Sequence, residues 1–530
     1  MIDIRRDDAY KTNVLDYLEM TVQRHPEGTA VDDGKLALTW KELESTAKQI
    51  GSAVSRRVPP RSPVPVLMEK SSLTLAAMLG IVYAGCFYVP VNPANPPERI
   101  KKILRVLKAE IIIAEEKEAE ALLSDMQGIE KITAEQLLEE ETDRDRLIRI
   151  REGAEETDIL YGIFTSGSTG NPKAVVVSHD AVIRFISHFT AIFGITEKDI
   201  LGNQAPFDFD VSVKDIYSSI MTGAQLVLIP KKLFSTPPGL LDFLCEKKVT
   251  NLTWAVSALT LVSSLKGLDY RVPETVKRVL FSGEAMPPKQ LRMWQRALPG
   301  TRFVNLYGPT EITCNCTWFD VDREYSDGEK LPIGNAFPGR RVFLLDEDQQ
   351  EIVIPGKTGE ICVAGESLAE GYYRDAEQTA KRFPMYPEGS PDGERICRTG
   401  DLGYYDEDGN LVFAGRRDFQ IKHMGHRIEL EEVEAAMNAV DGVERSCCVF
   451  DREHNRLAGF YLGSGKPAEV RAAMKEKLPV YMVPAKIIQT SVMPLNKNGK
   501  TDRTYFMEQL RGKRNDKQDS GLHAGKEAQK

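Results

Sequence analysis

Short apolar runs alternate with longer segments of helical periodicity through the first two thirds of the chain. The apolar runs predict strands at 63–68, 87–91 and 111–114, and the segments between them predict helices at 73–84 and 98–107. A second series of the same kind follows between residues 225 and 306. Strands that alternate with helices are typical of a doubly wound, mostly parallel sheet. The pattern therefore predicts an α/β fold whose large N-terminal domain contains two doubly wound layers.

The pattern changes beyond Pro332, where short apolar runs are separated by Asp-Gly, Pro-Gly and Gly-Glu turns. These turns predict a small β-rich subdomain that completes the large domain, 1–417. Mixed strand and helix patterns over 418–510 predict a smaller α+β C-terminal domain, and the polar composition of 511–530 predicts a disordered tail. The strongly charged segment between residues 115 and 158 is interpreted as a solvated connection.

Composition limits the kinds of partner and of cellular environment that we expect for this protein. The chain has 530 residues, which predicts at least two domains, and its formal net charge of −9 argues against a nucleic-acid partner. The eight cysteines have no spacing typical of metal sites or disulfide frameworks, which favours reduced thiols. The apolar stretch 73–91 is broken by Gly85 and Pro90, so a helix and a buried strand explain it better than a membrane span. We therefore expect a cytoplasmic protein with no membrane contact.

One stretch combines an apolar lead-in with glycine, hydroxyl and lysine side chains. Residues 161–173 read YGIFTSGSTGNPK. Gly167 and Gly170 let backbone N–H groups approach an anion closely, and Lys173 adds a positive charge. The spacing differs from a Walker loop because Asn171 and Pro172 separate Gly170 from the lysine. The composition also fits a flexible surface loop, but the apolar lead-in and the terminal Pro-Lys favour a polyphosphate site.

Four further motifs follow in order: NLYGPTE from Asn305, RTGD ending at Asp401, GRRDFQIK from Gly415 with GHRIELEEVE after it, and PLNKNGKTDR from Pro494. With the glycine-rich stretch they resemble the adenylation domains of nonribosomal peptide synthetases. These domains belong to the adenylate-forming superfamily, which includes acyl-CoA synthetases and luciferases. The resemblance covers residues 13–510. The segment GNQAPFDFDVSVKDIY from Gly202 looks especially like stand-alone D-alanine–carrier protein ligases.

The resemblance implies an enzyme that uses ATP and Mg²⁺ to convert an amino acid to aminoacyl-AMP, releasing pyrophosphate. The aminoacyl group then passes to the phosphopantetheine thiol of a carrier protein. The chain contains neither a carrier attachment motif nor a condensation motif, so the thiol acceptor is expected to be a separate carrier protein in trans, or coenzyme A. Three alternatives stay open: a D-alanine–carrier protein ligase of teichoic acid synthesis, an acyl- or aryl-CoA synthetase, and a non-catalytic binding module with the same fold.

The family also implies roles for individual residues. Lys500 is expected to be the catalytic lysine that bridges the carboxylate and the α-phosphate, Glu311 to bind Mg²⁺, and Asp418 to be the hinge between the domains. The residues implied for nucleotide binding are Thr165, Ser166, Thr169 and Lys173 at the β- and γ-phosphates, Thr310 at the α-phosphate, Gly283, Glu284, Asn305, Tyr307 and Gly308 near the adenine, and Asp401, Gly415 and Arg416 near the ribose. Ala174 departs from the family, which has glycine there, and this makes the role of Lys173 less certain.

Asp210 matches the aspartate that pairs with the α-ammonium of an amino acid. An ionised carboxylate in a mostly apolar pocket is costly unless it is paired, so Asp210 favours an amine-bearing substrate over a fatty or aryl acid. The alternative is a helix-capping aspartate. The remaining pocket positions implied by the resemblance are Val211, Lys214, Thr253, Leu280, Ser282, Leu306, Cys314 and Asn315. If Lys214 points inward, an acidic or strongly polar substrate side chain fits; if it points outward, a small amino acid fits equally.

Overall fold

The computed structural model describes residues 12–115, 128–167, 172–390, 392–495 and 501–510. Thr169, Lys500 and the predicted tail lie outside the described residues. The helices are α1 Val14–Arg24, α2 Trp40–Ser55, α3 Ser72–Tyr83, α4 Pro97–Leu107, α5 Ala134–Leu137, α6 Arg144–Glu152, α7 His179–Phe193, α8 Val211–Thr222, α9 Pro237–Glu246, α10 Val256–Ser264, α11 Gly267–Tyr270, α12 Pro288–Ala297, α13 Ala376–Arg382, α14 Leu430–Asn438, α15 Pro467–Lys477 and α16 Arg503–Leu510.

The strands of the two doubly wound layers are β1 Thr29–Asp32, β2 Ala37–Thr39, β3 Pro63–Leu67, β4 Phe87–Pro90, β5 Ile111–Ala114, β6 Glu130–Ile132, β7 Ile159–Thr165, β8 Lys173–Ser178, β9 Ile200–Asn203, β10 Gln225–Leu228, β11 Asn251–Ala255, β12 Arg278–Ser282, β13 Arg302–Tyr307, β14 Thr317–Asp320, β15 Asn335–Ala336 and β19 Gly371–Tyr372. The others are β16 Arg340–Leu345, β17 Glu351–Ile352, β18 Gly359–Gly365, β20 Met385–Tyr386, β21 Glu394–Tyr405, β22 Leu411–Arg416, β23 Gln420–His423, β24 His426–Glu429, β25 Val443–Asp451, β26 Arg456–Gly463 and β27 Lys486–Gln489.

Two sheets are mostly parallel, as the alternating pattern predicts. The nine-stranded sheet has the order β15-β14-β13-β12-β11-β9-β10-β1-β2, and its strands from β13 to β1 are parallel. The seven-stranded sheet has the order β19-β8-β7-β4-β3-β5-β6, with an antiparallel edge formed by β8 and β19. The carboxyl ends of neighbouring parallel strands open at the same edge of a sheet, which is where ligands bind in such folds.

A third, antiparallel sheet has the order β17-β16-β18-β21-β20, with β22 paired to β21. The C-terminal residues form the β23–β24 hairpin and the sheet β25-β26-β27, beside α14, α15 and α16. These elements confirm the predicted α/β fold class, with a β-rich subdomain and a smaller α+β module.

Chain contacts divide the protein into two units. The first contains residues 1–93, 103–165 and 173–418, and the second contains 94–102, 166–172 and 419–530. Within the first unit, the charged segment interpreted as a solvated connection in fact includes β6, α5 and α6. Charged residues surround its few buried apolar positions, such as Leu137 and Leu147, so the sequence pattern does not indicate these elements.

The apolar stretch 73–91 folds as predicted. Every residue of α3 except the half-buried Leu73 is buried, and the chain turns at Gly85, which has φ +71°, before it enters β4. No helix among the described residues has the length and hydropathy needed to cross a membrane.

Candidate active site

The glycine-rich stretch connects two antiparallel strands. Thr165 ends β7 and pairs with Lys173 at the start of β8, so the loop closes a hairpin, whereas a Walker loop leads from a strand into a helix. Ala174, the departure from the family, lies within β8 opposite Phe164, and its buried carbonyl accepts a hydrogen bond from Tyr373 N at 2.8 Å. Its methyl group therefore occupies a regular strand position.

Lys173 contacts residues of β19 and of α13, the helix that follows β19 in the chain. Its Nζ donates to Gln378 Oε1 at 3.0 Å and lies 5.4 Å from the centre of the Tyr372 ring. Tyr372 in turn donates its hydroxyl to Glu311 Oε1 at 2.7 Å. The structure thus brings the expected phosphate lysine and the expected Mg²⁺ ligand together through Tyr372, which carries no motif signal.

Glu311 is completely buried and forms an ion pair with Arg382, whose Nη2 lies 3.3 Å from Oε1. Burial alone would lower the pKa of Arg382, but the charge of Glu311 and the neighbouring Tyr372 raise it well above its usual value. No group of three or more His, Cys, Asp or Glu side chains in the described ranges is arranged to hold a metal ion. A single carboxylate fits Mg²⁺, which takes its other ligands from phosphates and water.

A second buried carboxylate, Asp401 on β21, lies between a phenol and a guanidinium. Tyr307 donates its hydroxyl to Oδ2 at 2.6 Å, Arg416 donates Nη1 to Oδ1, and the backbone N of Asp401 donates to Thr399 Oγ1 at 3.0 Å. A carboxylate accepts up to about four hydrogen bonds, so both oxygens keep capacity for ribose hydroxyls.

Arg416 divides its guanidinium between two carboxylates. Besides its bond to Asp401, it donates Nε and Nη2 to the two oxygens of Asp418 at 2.6 and 2.8 Å. Burial would lower the pKa of Arg416, but Asp418 and Asp401 together raise it above its usual value. Asp418, the expected hinge, is the last residue of the first unit.

The other residues predicted to bind the nucleotide differ in their burial and hydrogen bonding. Asn305 is buried and donates Nδ2 to the carbonyl of Pro332 at 2.8 Å. Thr310 is half-buried at the start of a 3-10 turn, and Glu284 is also half-buried. Gly283 and Gly415 have φ of +97° and +151° and leave open space where a Cβ would lie. Ser166 belongs to the second unit, where its Oγ donates to the carbonyl of Arg427 at 2.9 Å.

Gly308 is required by a close approach of the chain. A Cβ there would lie 2.6 Å from Asn315 Cα and 2.8 Å from the carbonyl oxygen of Cys314. The returning segment is held by the N–H of Cys316, which donates to the carbonyl of Tyr307 at 2.8 Å. Thr313 and Cys314 both have positive φ, at 54° and 72°, a strained arrangement typical of binding sites.

Asp210 lies at the N-cap position of α8, yet its side chain makes no capping hydrogen bond. This geometry disfavours the helix-cap alternative. The carbonyl of Asp210 accepts a hydrogen bond from Cys314 Sγ at 3.1 Å, so two predicted pocket positions lie together. The negative charge of Asp210 also contributes to raising the pKa of Tyr161, after the larger effect of burial.

Lys214 points inward, which resolves the alternative left open by the sequence. Its side chain is 1% exposed, and Nζ donates to Asn315 Oδ1 at 2.7 Å and to Ser282 Oγ at 3.4 Å. Leu280, Leu306 and Thr253 are buried on the neighbouring strands β12, β13 and β11, and Val211 is half-buried one turn before Lys214.

A buried polar network next to the pocket was missed by sequence reasoning. Lys70 donates Nζ to Asn203 Oδ1 at 3.0 Å and to the carbonyl of Gln204 at 3.1 Å, and Asn203 Nδ2 donates to Asp215 Oδ2 at 3.0 Å. Burial raises the pKa of Asp215 to about 6, and burial lowers the pKa of Lys70 to about 7. These residues fix the loop that leads to Asp210, but they belong to no motif.

Comparison with known families identifies the class of protein to which this fold belongs. The model of the AMP-binding enzyme family matches residues 18–373, so the chain belongs to the AMP-binding enzymes. It is 30% identical over 509 residues to tyrocidine synthase 1 of Brevibacillus parabrevis, covering 94% of this chain and 45% of that protein. It is 31% identical over 506 residues to gramicidin S synthase 1 of Brevibacillus brevis, covering 92% of this chain and 44% of that protein. The chain thus spans less than half the length of these curated relatives.

Solved structures show the same fold. Holo-PA1221, an NRPS protein containing adenylation and PCP domains, matches with a TM-score of 0.80 at 24% identity, covering 94% of this chain and 84% of that one. IdnL1 matches with a TM-score of 0.75 at 28% identity, covering 92% and 100%. The resemblance to adenylation domains of nonribosomal peptide synthetases is confirmed.

Proposed function

We propose that the chain activates an amino acid with ATP to aminoacyl-AMP, releases pyrophosphate, and transfers the aminoacyl group to the phosphopantetheine thiol of a separate carrier protein. The observation that carries the amino-acid part is Asp210, a carboxylate at the start of α8 that makes no capping hydrogen bond to its own helix. A carboxylate in this position matches the α-ammonium of an amino acid, which fatty and aryl acids lack.

The nucleotide part of the proposal rests on Asp401 and its partners. Tyr307 and Arg416 hold the carboxylate in one orientation, so it accepts the ribose hydroxyls without reorganisation. Asn305 and Tyr307, both at the carboxyl end of β13, then lie beside the base. Thr165 and Lys173 at the hairpin, together with Ser166 and Thr169, bind the β- and γ-phosphates that leave as pyrophosphate.

Bond formation brings the carboxylate of the amino acid onto the α-phosphate, so two anions must approach each other. We assign the neutralising charge to Lys500, which is identified by its motif and lies outside the described residues. We assign to Thr310 a hydrogen bond to the α-phosphate. Glu311 would hold Mg²⁺, which supplies further positive charge at the phosphates. Arg382 and Tyr372 orient Glu311 for that role.

The proposal predicts that two lysines contribute unequally. Lys500→Ala should reduce ATP–pyrophosphate exchange to near background, because its charge acts where the bond forms. Lys173→Ala should reduce exchange by about tenfold, because this residue contacts only the leaving group. Exchange is measured with purified full-length protein and a panel of L- and D-amino acids, and circular dichroism verifies that each variant is folded. Equal losses would contradict this ranking, and exchange with no amino acid would exclude the amino-acid proposal.

The same panel separates the alternatives. Strict selectivity for D-alanine would favour a D-alanine–carrier protein ligase, to which the segment from Gly202 is similar. For an acyl- or aryl-CoA synthetase, Asp210→Ala would leave activity with carboxylic acids intact. For a non-catalytic module, well-folded protein would form no adenylate with any acid, as mass spectrometry would show.

A further inference from the structure

The segment that carries Asp210 is closed at its base by the side chain of Asn203. This residue ends β9, and its Nδ2 donates to Asp215 Oδ2 on α8 at 3.0 Å. The bond joins two buried residues that lie twelve positions apart, and Asp210 lies between them. The same amide accepts a hydrogen bond at Oδ1 from Lys70 Nζ at 3.0 Å. Lys70 therefore binds the group that closes the segment.

Lys70 also binds the backbone that follows β9. Its Nζ lies 3.1 Å from the carbonyl oxygen of Asn203, 3.1 Å from that of Gln204 and 3.4 Å from that of Ala205. A lysine ammonium has three N–H donors, whereas the neutral amine has two and carries no charge. Because several acceptors share this one group, the protonated form binds the segment more strongly than the neutral form.

Hydrogen-bonded turns continue from these carbonyl groups to Asp210. The N–H of Phe209 donates to the carbonyl of Pro206 at 3.2 Å. The carbonyl of Phe209 accepts hydrogen bonds from N and Oγ of Ser212, at 3.0 and 2.7 Å. Asp210 thus lies in a compact turn between the backbone that Lys70 binds and the first residues of α8. A displacement of that backbone is therefore expected to move Asp210 as well.

The charged groups around Lys70 determine when it is protonated. Burial lowers the pKa of Lys70 to about 7, and the charge of Asp215 opposes this effect. Burial raises the pKa of Asp215 to about 6, and hydrogen bonds and the charges of Lys214 and Lys70 oppose that effect. Glu115 and Asp33 accept backbone N–H groups on either side of Lys70, at 3.0 and 2.9 Å. Lys70 therefore loses its proton near neutral pH, where an ordinary lysine stays charged.

We propose that Lys70 is a positioning residue for the amino-acid substrate, and that it holds Asp210 in place only while its ammonium is protonated. This inference rests on the proposed function and adds a pH-dependent control of the same site. Lys70 acts through Asn203 and the neighbouring carbonyl groups. When the proton leaves, the carbonyl groups lose a donor and a charge, so the segment loosens and Asp210 moves away from the α-ammonium. Affinity for the amino acid then falls, whereas binding of the nucleotide at Asp401 is unchanged.

The first measurement uses the unmodified full chain. ATP–pyrophosphate exchange is followed from about pH 5.5 to 8.5 with the amino acid that gives the strongest exchange. We expect kcat/KM for the amino acid to fall by about tenfold between about pH 7 and 8.5, because the protonated fraction of Lys70 falls by that factor. The KM for ATP should change by less than about threefold over the same range. This measurement does not depend on the folding of any variant.

Lys70→Met then assigns the pH dependence to the lysine, because methionine is unbranched, of similar length and unable to titrate. At about pH 6.5 we expect it to raise the KM for the amino acid by about 10- to 30-fold and the KM for ATP by less than about twofold. The fall above about pH 7 should disappear. A purely structural role would lower stability without removing this step from the pH profile.

Lys247→Met is the matched control. Lys247 also bonds a residue that is distant in sequence, since its Nζ lies 2.5 Å from Asp32 Oδ2. Its substitution should leave both KM values and the pH profile unchanged. Circular dichroism verifies that each variant is folded.

The outcomes separate this inference from the proposed function. A constant kcat/KM between about pH 7 and 8.5 in the unmodified protein would overturn the inference and leave the proposed function standing. The same fall in folded Lys70→Met, or equal increases in both KM values, would also overturn the role of Lys70. Exchange with no amino acid would overturn the proposed function itself.

Discussion

Asp401 shows how single residues prepare the site. Its two oxygens are oriented by different elements, Tyr307 at the end of β13 and Arg416 at the end of β22. Tyr307 is buried and Arg416 is half-buried, so the carboxylate is oriented before any ligand binds. The Arg416 donor is charged and the Tyr307 donor is neutral. We therefore expect the two residues to contribute unequally to holding Asp401 for the ligand.

We expect Asp401→Asn to raise the KM for ATP in the exchange reaction by about 10- to 100-fold, because the amide loses the charge-assisted bond to Arg416 and offers fewer acceptors to the ribose. Tyr307→Phe removes one neutral donor and should raise it by only about fivefold. Exchange kinetics with varied ATP measure both values. A wild-type KM in folded Asp401→Asn would contradict the assignment of Asp401 to the ribose.

At the scale of single residues, the sequence singled out candidate site residues but did not predict where each side chain points. The motifs identified Asp401, Glu311 and Asp210, because short motifs preserve the spacing of groups that contact one ligand. The direction of Lys214 stayed open, since a lysine on an amphipathic helix can point either way. Lys70 was missed because its partners are more than a hundred residues away in sequence.

Helix α7 depends on a buried, neutral histidine. Ser178 caps the helix by accepting a hydrogen bond from Ala181 N, and His179 is its first residue. The Nδ1 of His179 accepts the backbone N–H of Val14, the first residue of α1, at 3.2 Å. Burial lowers the pKa of His179 from 6.5 to about 3, and the charge of Arg151 lowers it further. Protonation would remove the acceptor that joins the two helices.

This low pKa predicts a loss of stability in acid. Because the pKa is depressed in the folded state, the stabilisation is fully present above the unfolded value of about 6.5 and is lost as the pH falls towards 3. Between pH 7 and 4.5 the loss from this group should be about 2 to 3 kcal/mol. His179→Asn keeps an acceptor but cannot titrate, so urea unfolding of this variant should show a smaller drop. If the free energy of unfolding fell equally with pH in the parent protein and in His179→Asn, the prediction would be contradicted.

Elements were predictable where their pattern was long and regular. Helix α3 and strand β4 follow from one apolar stretch broken at Gly85. In contrast, α5 and α6 were missed because charged residues surround their few buried positions. The antiparallel pairing of β7 with β8 could not be predicted from the sequence either, because periodicity indicates a strand but not its partner.

At the scale of the molecule, the C-terminal residues have apolar clusters of their own. One cluster includes Val433, Met437 and Tyr461, and the other includes Phe460 and Phe506. All described members of both clusters lie between residues 421 and 510. A segment that supplies its own core has what it needs to fold alone.

We therefore expect the fragment 419–510 to unfold in a single cooperative transition when it is expressed separately. The described members of both clusters all belong to the fragment, so it carries these apolar contacts itself. Urea unfolding followed by far-ultraviolet circular dichroism measures the transition. Phe460→Ala should lower its midpoint by creating a cavity, whereas a gradual, non-cooperative loss of signal in the parent fragment would contradict the prediction.

The folded-back segment between Tyr307 and Cys316 limits how this enzyme can be redesigned. Tyr307 donates a hydrogen bond to Asp401, the proposed ribose ligand, and Asn315 and Cys314 belong to the proposed amino-acid pocket. The two parts of this segment pack closely against each other at Gly308. Mutations at Cys314 or Asn315 aimed at a new substrate would therefore disturb nucleotide binding at the same time. Lys214 and Ser282 come from separate elements, α8 and β12, and offer the better starting points for altered selectivity.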